Sequence, residues 1–508
     1  MIISVNDWNG LQSVINGTYQ EGTELEINFL QAFTVLTTAF NINLPATVSK
    51  CTITGVNSST QYTARITTNR TSYFQLVLNN LNLVVPDNNP AVDIAKADFV
   101  IMPRYNGLYI KGNCTINNIY PTYVNEFNTC GIYVAEGTGL YITVENSSVL
   151  DIKGLRTYSA PIGGRRDGGS GIMYIQGFDV GGIAGYGVIN ITTQNNCKSA
   201  LIGGGGSEFG PGGDSQGIVI PTSIIINLRN DTTPSVTRTV YGAFIGGGGS
   251  ENDPGGNSEI IDIFGTSKIN IFNNSMVLGA FIGSGGSYHN GIGGTSNRIS
   301  IFGNSIVNIQ NDNTINDVIV CGAGIGGGGN LNDGSGGNSN YINISGNAQV
   351  NINNIGGIGT SSMFLGALIG SGSFYMSPYG AGGFVRTIEI LDSADVKLLS
   401  EFYLFGSAIG QGHIAVPVTI PDITINTTGT VDISVEPFDI QAPAIAIGGG
   451  DSVISALGGL NKIKGAVIGN FLTISNQFVT LDELSYKTSL TINKGAIVVK
   501  DVSYTITS

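Results

Sequence analysis

One phrase dominates this chain. A small residue, an alanine, a free position and an isoleucine lead into a run of glycines. It reads SALIGGGGS, GAFIGGGGS, GAFIGSGGS, GAGIGGGGN and GALIGSGS, with looser copies APIGG, SAIGQG and AIAIGGG. The isoleucine before the glycines falls at Ile162, Ile202, Ile245, Ile282, Ile325, Ile369, Ile409 and Ile447, at intervals of 37 to 44 residues. A period of that length marks a repeat architecture, in which each unit buries its apolar face only by stacking on its neighbours.

A second phrase follows at a nearly fixed offset: GGDS at Gly212 to Ser215, GGNS at Gly255 to Ser258, GGTS at Gly293 to Ser296 and GGNS at Gly336 to Ser339. Alternating segments come next, among them EIIDIFGTSKINIF, RISIFGNSIVNIQ, YINISGNAQVNIN and TIEILDSADVKLL. Apolar residues alternate with polar ones, a GT, GN or DS turn interrupts, and alternation resumes. That period of two marks strands with one buried face. Each unit therefore reads as three strands and no helix, one coil of a parallel β-solenoid. At about 4.8 Å per coil, eight coils make a prism of roughly 40 Å. Isoleucine and valine stack inward as ladders, and Asn270, Asn308 and Asn351 are placed to hydrogen-bond along the axis.

Composition supports an all-β fold and removes other classes. The chain holds 75 glycines in 508 residues, is 41% hydrophobic and only 11% charged. Disorder requires the opposite balance, and collagen requires a strict Gly-X-Y period that is absent here. A net charge of −13 argues against nucleic acid as a partner, because phosphate contacts need clustered Lys and Arg. Residues 27–48 form the long uncharged stretch with an apolar bias. Asn28, Gln31, Asn41 and Asn43 interrupt it, so paired strands fit better than a membrane span. The opening MIISVNDWNG carries no basic or apolar leader region.

Four regions follow. Residues 1–20 read as an N-terminal capping helix and strand, with Trp8, Leu11 and Ile15 on one face, Asn6 as N-cap and Gly17 as stop. Residues 21–160 keep the strand pattern without the glycine phrase and read as early coils. Residues 161–450 are the glycine-rich repeats. Residues 451–508 depart from the phrase and read as a C-terminal β cap or assembly segment.

The SVNDWNGLQSVI opening followed by strand-rich coils resembles pectin-lyase-like right-handed parallel β-helix proteins. The GAxIGGGG…GGNS…IxIxG units are similar to glycine-rich repeats of bacterial surface proteins, and to phage tailspikes and fibres built on β-helices. These motifs, over roughly residues 160–450, specify architecture well and chemistry poorly. By analogy with such spikes, the resemblance implies a homotrimer.

Candidate chemistry is sparse. Eight stacked glycine runs need a reason, since glycine weakens a strand. Three remain open: close approach of another backbone, at a trimer axis or from the chain's own loops; the floor of a shallow ligand groove; or a tight bend. Loop tips Phe209, Tyr288 with His289, Leu331 and Tyr375 are expected to line one side, stacking on sugar rings or filling a subunit interface. Asp253 and Asp333 offer one carboxylate per loop. That is too few for calcium and fits Asx turns better. The five cysteines lack CxxC spacing, with Cys114 and Cys130 the pair to check for a bridge. His289 and His413 are isolated, so no metal or other cofactor is expected. Ten NxS/T sequons, Asn16, Asn113, Asn146, Asn273 and Asn426 among them, are numerous in any chain so rich in Asn, Ser and Thr.

The dense charge cluster Arg165-Arg166-Asp167 follows Ile162 and is the candidate catalytic group if the protein is an enzyme. A general acid needs a positioned partner, and none is evident beside this triplet. The leading expectation is a non-enzymatic structural or receptor-binding solenoid of a virion appendage: fibre, spike or decoration. Its partners would be copies of itself, host-surface glycans or other virion proteins, and its place the virion or extracellular surface. A secreted bacterial adhesin is the alternative, and a tailspike-type polysaccharide depolymerase the third reading.

Overall fold

The structure is a computed structural model. It describes residues 1–70, 72–95, 106–118, 129–153, 158–178, 185–193, 197–230, 239–313, 318–356, 363–375, 381–401, 404–412, 422–435 and 445–448, and the backbone of strands between residues 453 and 500. The chain is a parallel β-solenoid. In the coil opened by Ile245, the short strand Ile245–Gly246 leads through the glycine loop to Ser258–Ile263. A corner then leads to Lys268–Asn273, and a short Met276–Val277 closes the turn. Equivalent strands of successive coils pair in parallel, giving a glycine wall, a leading wall, a trailing wall and a short fourth edge.

Register is kept by the marker isoleucines. Ile162, Ile202, Ile245, Ile282, Ile325, Ile369, Ile409 and Ile447 pair one above the next. The glycine wall holds thirteen strands among those described. The fourth edge was not expected from the sequence. Its strands are two residues long, as at Thr239–Val240 and Met276–Val277, too short for an alternating pattern to be legible.

Inward positions form continuous ladders. On the leading wall Ile261, Ile299 and Ile342 stack in register, and on the trailing wall Ile269, Val307 and Val350 do the same. All are fully buried, each contributing about 1.5–3 kcal/mol of transfer free energy. Phe244 and Phe281 stack inside with ring centres 5.2 Å apart.

Corners between leading and trailing walls need a left-handed residue. Gly265, Gly303 and Gly346 (φ 69°, 74° and 68°) supply it, and Asp392 does so at φ 61°. The GT, GN and DS signals of the sequence are these corners.

Asparagine runs along the trailing wall on two faces. Outside, the Nδ2 of Asn227, Asn270, Asn308 and Asn351 each donates to the Oδ1 of the residue one coil back, at 2.8–3.0 Å. The chain ends on Asp151 through Asn190, at 2.7 Å. A second, buried line joins Asn273, Asn311, Asn354 and Ser400.

The first 160 residues form earlier coils of the same prism. Ile42, Ile66, Val92 and Ile132 continue the isoleucine column down to Ile162. Residues 23–29, 40–44 and 48–54 are strands, as the polar residues in that stretch required. Among the described residues no helix is long and apolar enough to cross a membrane.

Trp8–Ile15 is the one helix described, and it turns Leu11, Val14 and Ile15 onto the first coil. Its N-cap is Asp7, not Asn6: Asp7 is extended and its Oδ1 accepts the Gly10 N–H at 2.7 Å. An N-cap oxygen serves the N–H two or three residues on, and Gly10 is three after Asp7. Trp8 packs between Phe33 and Phe40 at the rim.

Beyond the repeats, Val453–Leu457 and Leu460–Lys464 extend the two long walls in parallel. The long strand Phe471–Asp482 pairs with both, and Ser489–Lys500 pairs with it.

All five cysteines are free and buried. Cys114 lies on the trailing wall and Cys130 just before the glycine-wall strand Ile132–Tyr133, so different walls hold the pair apart and no bridge forms. Burial pushes the Cys114 and Cys197 thiols up to about 11 and Cys130 to about 12, the direction of inert structural thiols.

Candidate functional site

The glycines are consumed inside the wall. Gly203, Gly246, Gly283, Gly326 and Gly370 hold φ between 137° and 147°, apart from Gly246 at 135°, a region L-residues rarely adopt. A Cβ on any of them would fall inside the carbonyl oxygen of the equivalent glycine one coil on. The third glycine of each run meets the coil behind in the same way, and both glycines of the GGDS-type phrase meet neighbouring backbone.

The two phrases also bond to each other. The N–H of Gly205 donates to the carbonyl of Gly168, Gly213 to Gly205, Gly248 to Gly213 and Gly256 to Gly248. The same step continues through Gly285, Gly294, Gly328, Gly337, Gly372 and Gly383, with distances from 2.6 to 3.3 Å. This is one hydrogen-bond chain along the axis, every link pointing the same way, and such chains reinforce themselves. The glycines from Gly203 upward in these columns are buried. Of the three reasons open for the runs, close approach of the chain's own loops is the one present. The expected stripe of bare surface backbone, and with it the floor of a groove, is corrected.

The third position of the second phrase is explained likewise. Oδ1 of Asp214 accepts the N–H of Asn257, Asn257 that of Thr295, and Asn338 that of Phe384, at 2.6–3.0 Å. Asp and Asn recur at this position because a short side-chain oxygen reaches one coil up.

Loop tips project beside the glycine wall, where Ser207, Ser250, Ser287, Asn330 and Phe374 pair coil to coil. The next residue in each, Glu208, Glu251, Tyr288, Leu331 and Tyr375, faces a second column of Tyr158, Lys198, Tyr241, Leu278, Cys321 and Leu365. The edge changes character along the axis. Its upper part is a small apolar cluster of Tyr241, Leu278, Cys321, Leu331 and Leu365, with Tyr288 and Tyr375 packed against it. Phe209 does not belong to that row: it is one residue further on, in line with His289, and stands 77% exposed. Nδ1 of His289 lies 3.0 Å from Asn332 Nδ2.

The lower part of the edge is ionic. The Arg166 guanidinium sits 4.2 Å over the Tyr158 ring and contacts Glu208 at 3.1 Å and Asp167 at 3.4 Å. Lys198 donates to the Tyr158 hydroxyl at 2.6 Å and pairs with Glu251. Burial pulls the Lys198 ammonium down, but its bonds to Glu251 and Tyr158 outweigh this and hold it above the ordinary value; burial raises the Tyr158 phenol. Arg165 lies 3.9 Å over the Tyr133 ring and reaches Asp93 at 3.4 Å. Tyr158, Lys198, Glu208 and Glu251 were not singled out from the sequence, because they lie 40 to 53 residues from their partners. Among the described residues no three His, Cys, Asp or Glu side chains form a group fit for a metal. Asp253 and Asp333 stand two coils apart, with the loop of Ser287 between theirs.

An aromatic face on the early coils also went unmarked by the sequence. On the outer side of the leading wall lie Glu24, Lys50, Gln75, Gly107, Tyr141 and Tyr174, in register coil by coil. The next outward column is Glu26, Thr52, Val77, Tyr109 and Thr143. A concavity of about 550 Å³ opens here, lined by Thr52, Thr54, Gln75, Tyr109, Lys111 and Phe178 among others. The Tyr109 ring lies over Gly107: a Cβ there would be 2.8 Å from its Cε2. Tyr141 and Tyr174 stack with centres 4.8 Å apart. No protein family, curated protein or solved structure matches the chain.

Proposed function

We propose that the protein is a non-enzymatic, self-associating solenoid that serves as a structural and receptor-binding part of a virion or extracellular appendage, contacting surface glycans. The observation that carries this reading is the axial glycine hydrogen-bond chain. It spends the most repetitive part of the sequence on stiffness, and the lower edge spends its acids and bases on one another across coils. A general acid–base pair needs a proton-transfer partner within reach of substrate, whereas Lys198, Glu251, Arg166 and Glu208 are paired across coils. Incubation with bacterial surface polysaccharides should yield no new reducing ends and no unsaturated sugars. Light scattering should give a mass three times the 52.8 kDa of the chain. Cleavage abolished by Lys198→Ala or Arg166→Ala would establish the depolymerase reading instead, and a stable monomer at micromolar concentration would remove the trimer.

A further inference from the structure

We propose that the aromatic face of the early coils is a binding site for a neutral polysaccharide chain lying along the solenoid axis, with Tyr109 as its platform. This rests on the receptor-binding reading above and deepens it. Four tyrosines come from four successive coils, Tyr73 ahead of the strand Gln75–Asn79, then Tyr109, Tyr141 and Tyr174. Neighbouring strands are about 4.8 Å apart, so these residues trace a track across the strands. Tyr109 is laid flat along its own strand because Gly107 leaves the space. Its hydroxyl is tied to that of Tyr73, which Gln75 Nε2 also engages. Tyr73 is 40% exposed and Phe178, at the far end of the concavity, 53%. A ring held flat at a sheet surface offers an apolar face with a polar rim, the combination that suits a sugar ring.

The polar groups around it fix the ligand class. Hydroxyls and amides of Thr52, Thr54, Gln75, Asn79 and Thr143 line the concavity and suit sugar hydroxyls. Its charged lining residues are Glu26 and Glu145 against Lys50 and Lys111, and Lys50 is already paired with Glu24 at 3.2 Å. Balanced charge gives a polyanion nothing to neutralise. The same four charges argue against a second protein copy, because Lys and Glu are depleted at interface cores.

Affinity electrophoresis of the full chain through gels containing dextran, galactomannan or polygalacturonate tests the site. Retardation by a neutral gel is expected, weakened at least tenfold by Tyr109→Ala and by Gly107→Val, which fills the ring's seat, and unchanged by Phe209→Ala. Tyr109→Phe keeps the platform and should retain most of the binding. Circular dichroism and melting curves confirm that each variant is folded. No retardation in any gel, equal retardation of Tyr109→Ala, or retardation by polygalacturonate alone would overturn the proposal, as would a drop in oligomer mass in Tyr109→Ala. Binding without cleavage upholds both readings. Binding with cleavage overturns the non-enzymatic function and leaves the site, and neither binding nor cleavage overturns the site alone.

Discussion

The early coils and the glycine coils occupy one continuous prism yet fill the same wall position differently. Thr67, Asp93 and Tyr133 carry side chains where Gly163, Gly203 and Gly246 stand above them in the same column. The cause is the loop. The first coils are tight, with Ile42, Ile66 and Val92 only 24 and 26 residues apart. In the glycine coils about a dozen more residues fold back and lie on the wall as bare backbone, leaving no volume for a Cβ. Stiffness and variable surface are thereby separated along the axis. Arg165 marks the junction, spanning from the first glycine coil over Tyr133 to Asp93.

The sharpest way to break this comparison is to give a glycine coil one side chain. Gly246→Ala should cost at least about 3 kcal/mol, from backbone strain together with overpacking. Gly217→Ala, on the leading wall against only the Ile172 side chain at 3.3 Å, should stay within about 1 kcal/mol. Denaturant midpoints of the two variants measure the gap; equal effects would refute the steric origin of the glycine run.

Along the edge, Lys198→Ala leaves Glu251 half-buried without its cation and should cost about 2–3 kcal/mol. The double change Lys198→Leu with Glu251→Leu copies the apolar pattern of Leu278 and Leu331 and should fall within about 1.5 kcal/mol of the parent. A double variant as unstable as Lys198→Ala would mean that the ionic stretch is not interchangeable with the apolar one.

The two asparagine lines give a smaller contrast. Asn273→Ala removes a buried residue that bonds Asn311 and Ser275, so thermal unfolding should show a loss of about 1–3 kcal/mol. Asn270→Ala, on the solvent side, should change stability by less than about 1 kcal/mol because water replaces its bonds.

Alkaline titration probes the buried thiols. Native thiols raised to about 11 at Cys114 and Cys197 and about 12 at Cys130 keep their protons after the unfolded chain begins losing its own near pH 8.5. Their stabilisation is therefore complete below about pH 8.5 and is lost as pH rises toward the native values, by about 1.4 kcal/mol per thiol per pH unit. Stability unchanged between pH 8 and 11 would contradict their burial.

The sequence exposed whatever recurs. Marker isoleucines set register, GT, GN and DS set corners, and Asn270, Asn308 and Asn351 line up as their spacing required. What it concealed depends on which residues meet across coils of unequal length. Glu208 and Lys198 look unremarkable until 40-residue loops bring them to Tyr158. Phe209 looks equivalent to Tyr288 until one extra residue moves it out of that column. Tyr109 and Tyr141 sit in coils without the phrase and Tyr174 in its first, loosest copy, so no repeat flagged them, although each is an outward position of an alternating segment.

Amide hydrogen exchange along the glycine chain is the most direct measurement. The N–H groups of Gly213, Gly248, Gly256, Gly285, Gly294, Gly328 and Gly337 should exchange only with global unfolding, as slowly as the buried isoleucine ladders and independently of protein concentration. Fast exchange at these glycines in the folded protein, or protection that disappears on dilution to the monomer, would show that the runs serve a surface or a subunit axis instead.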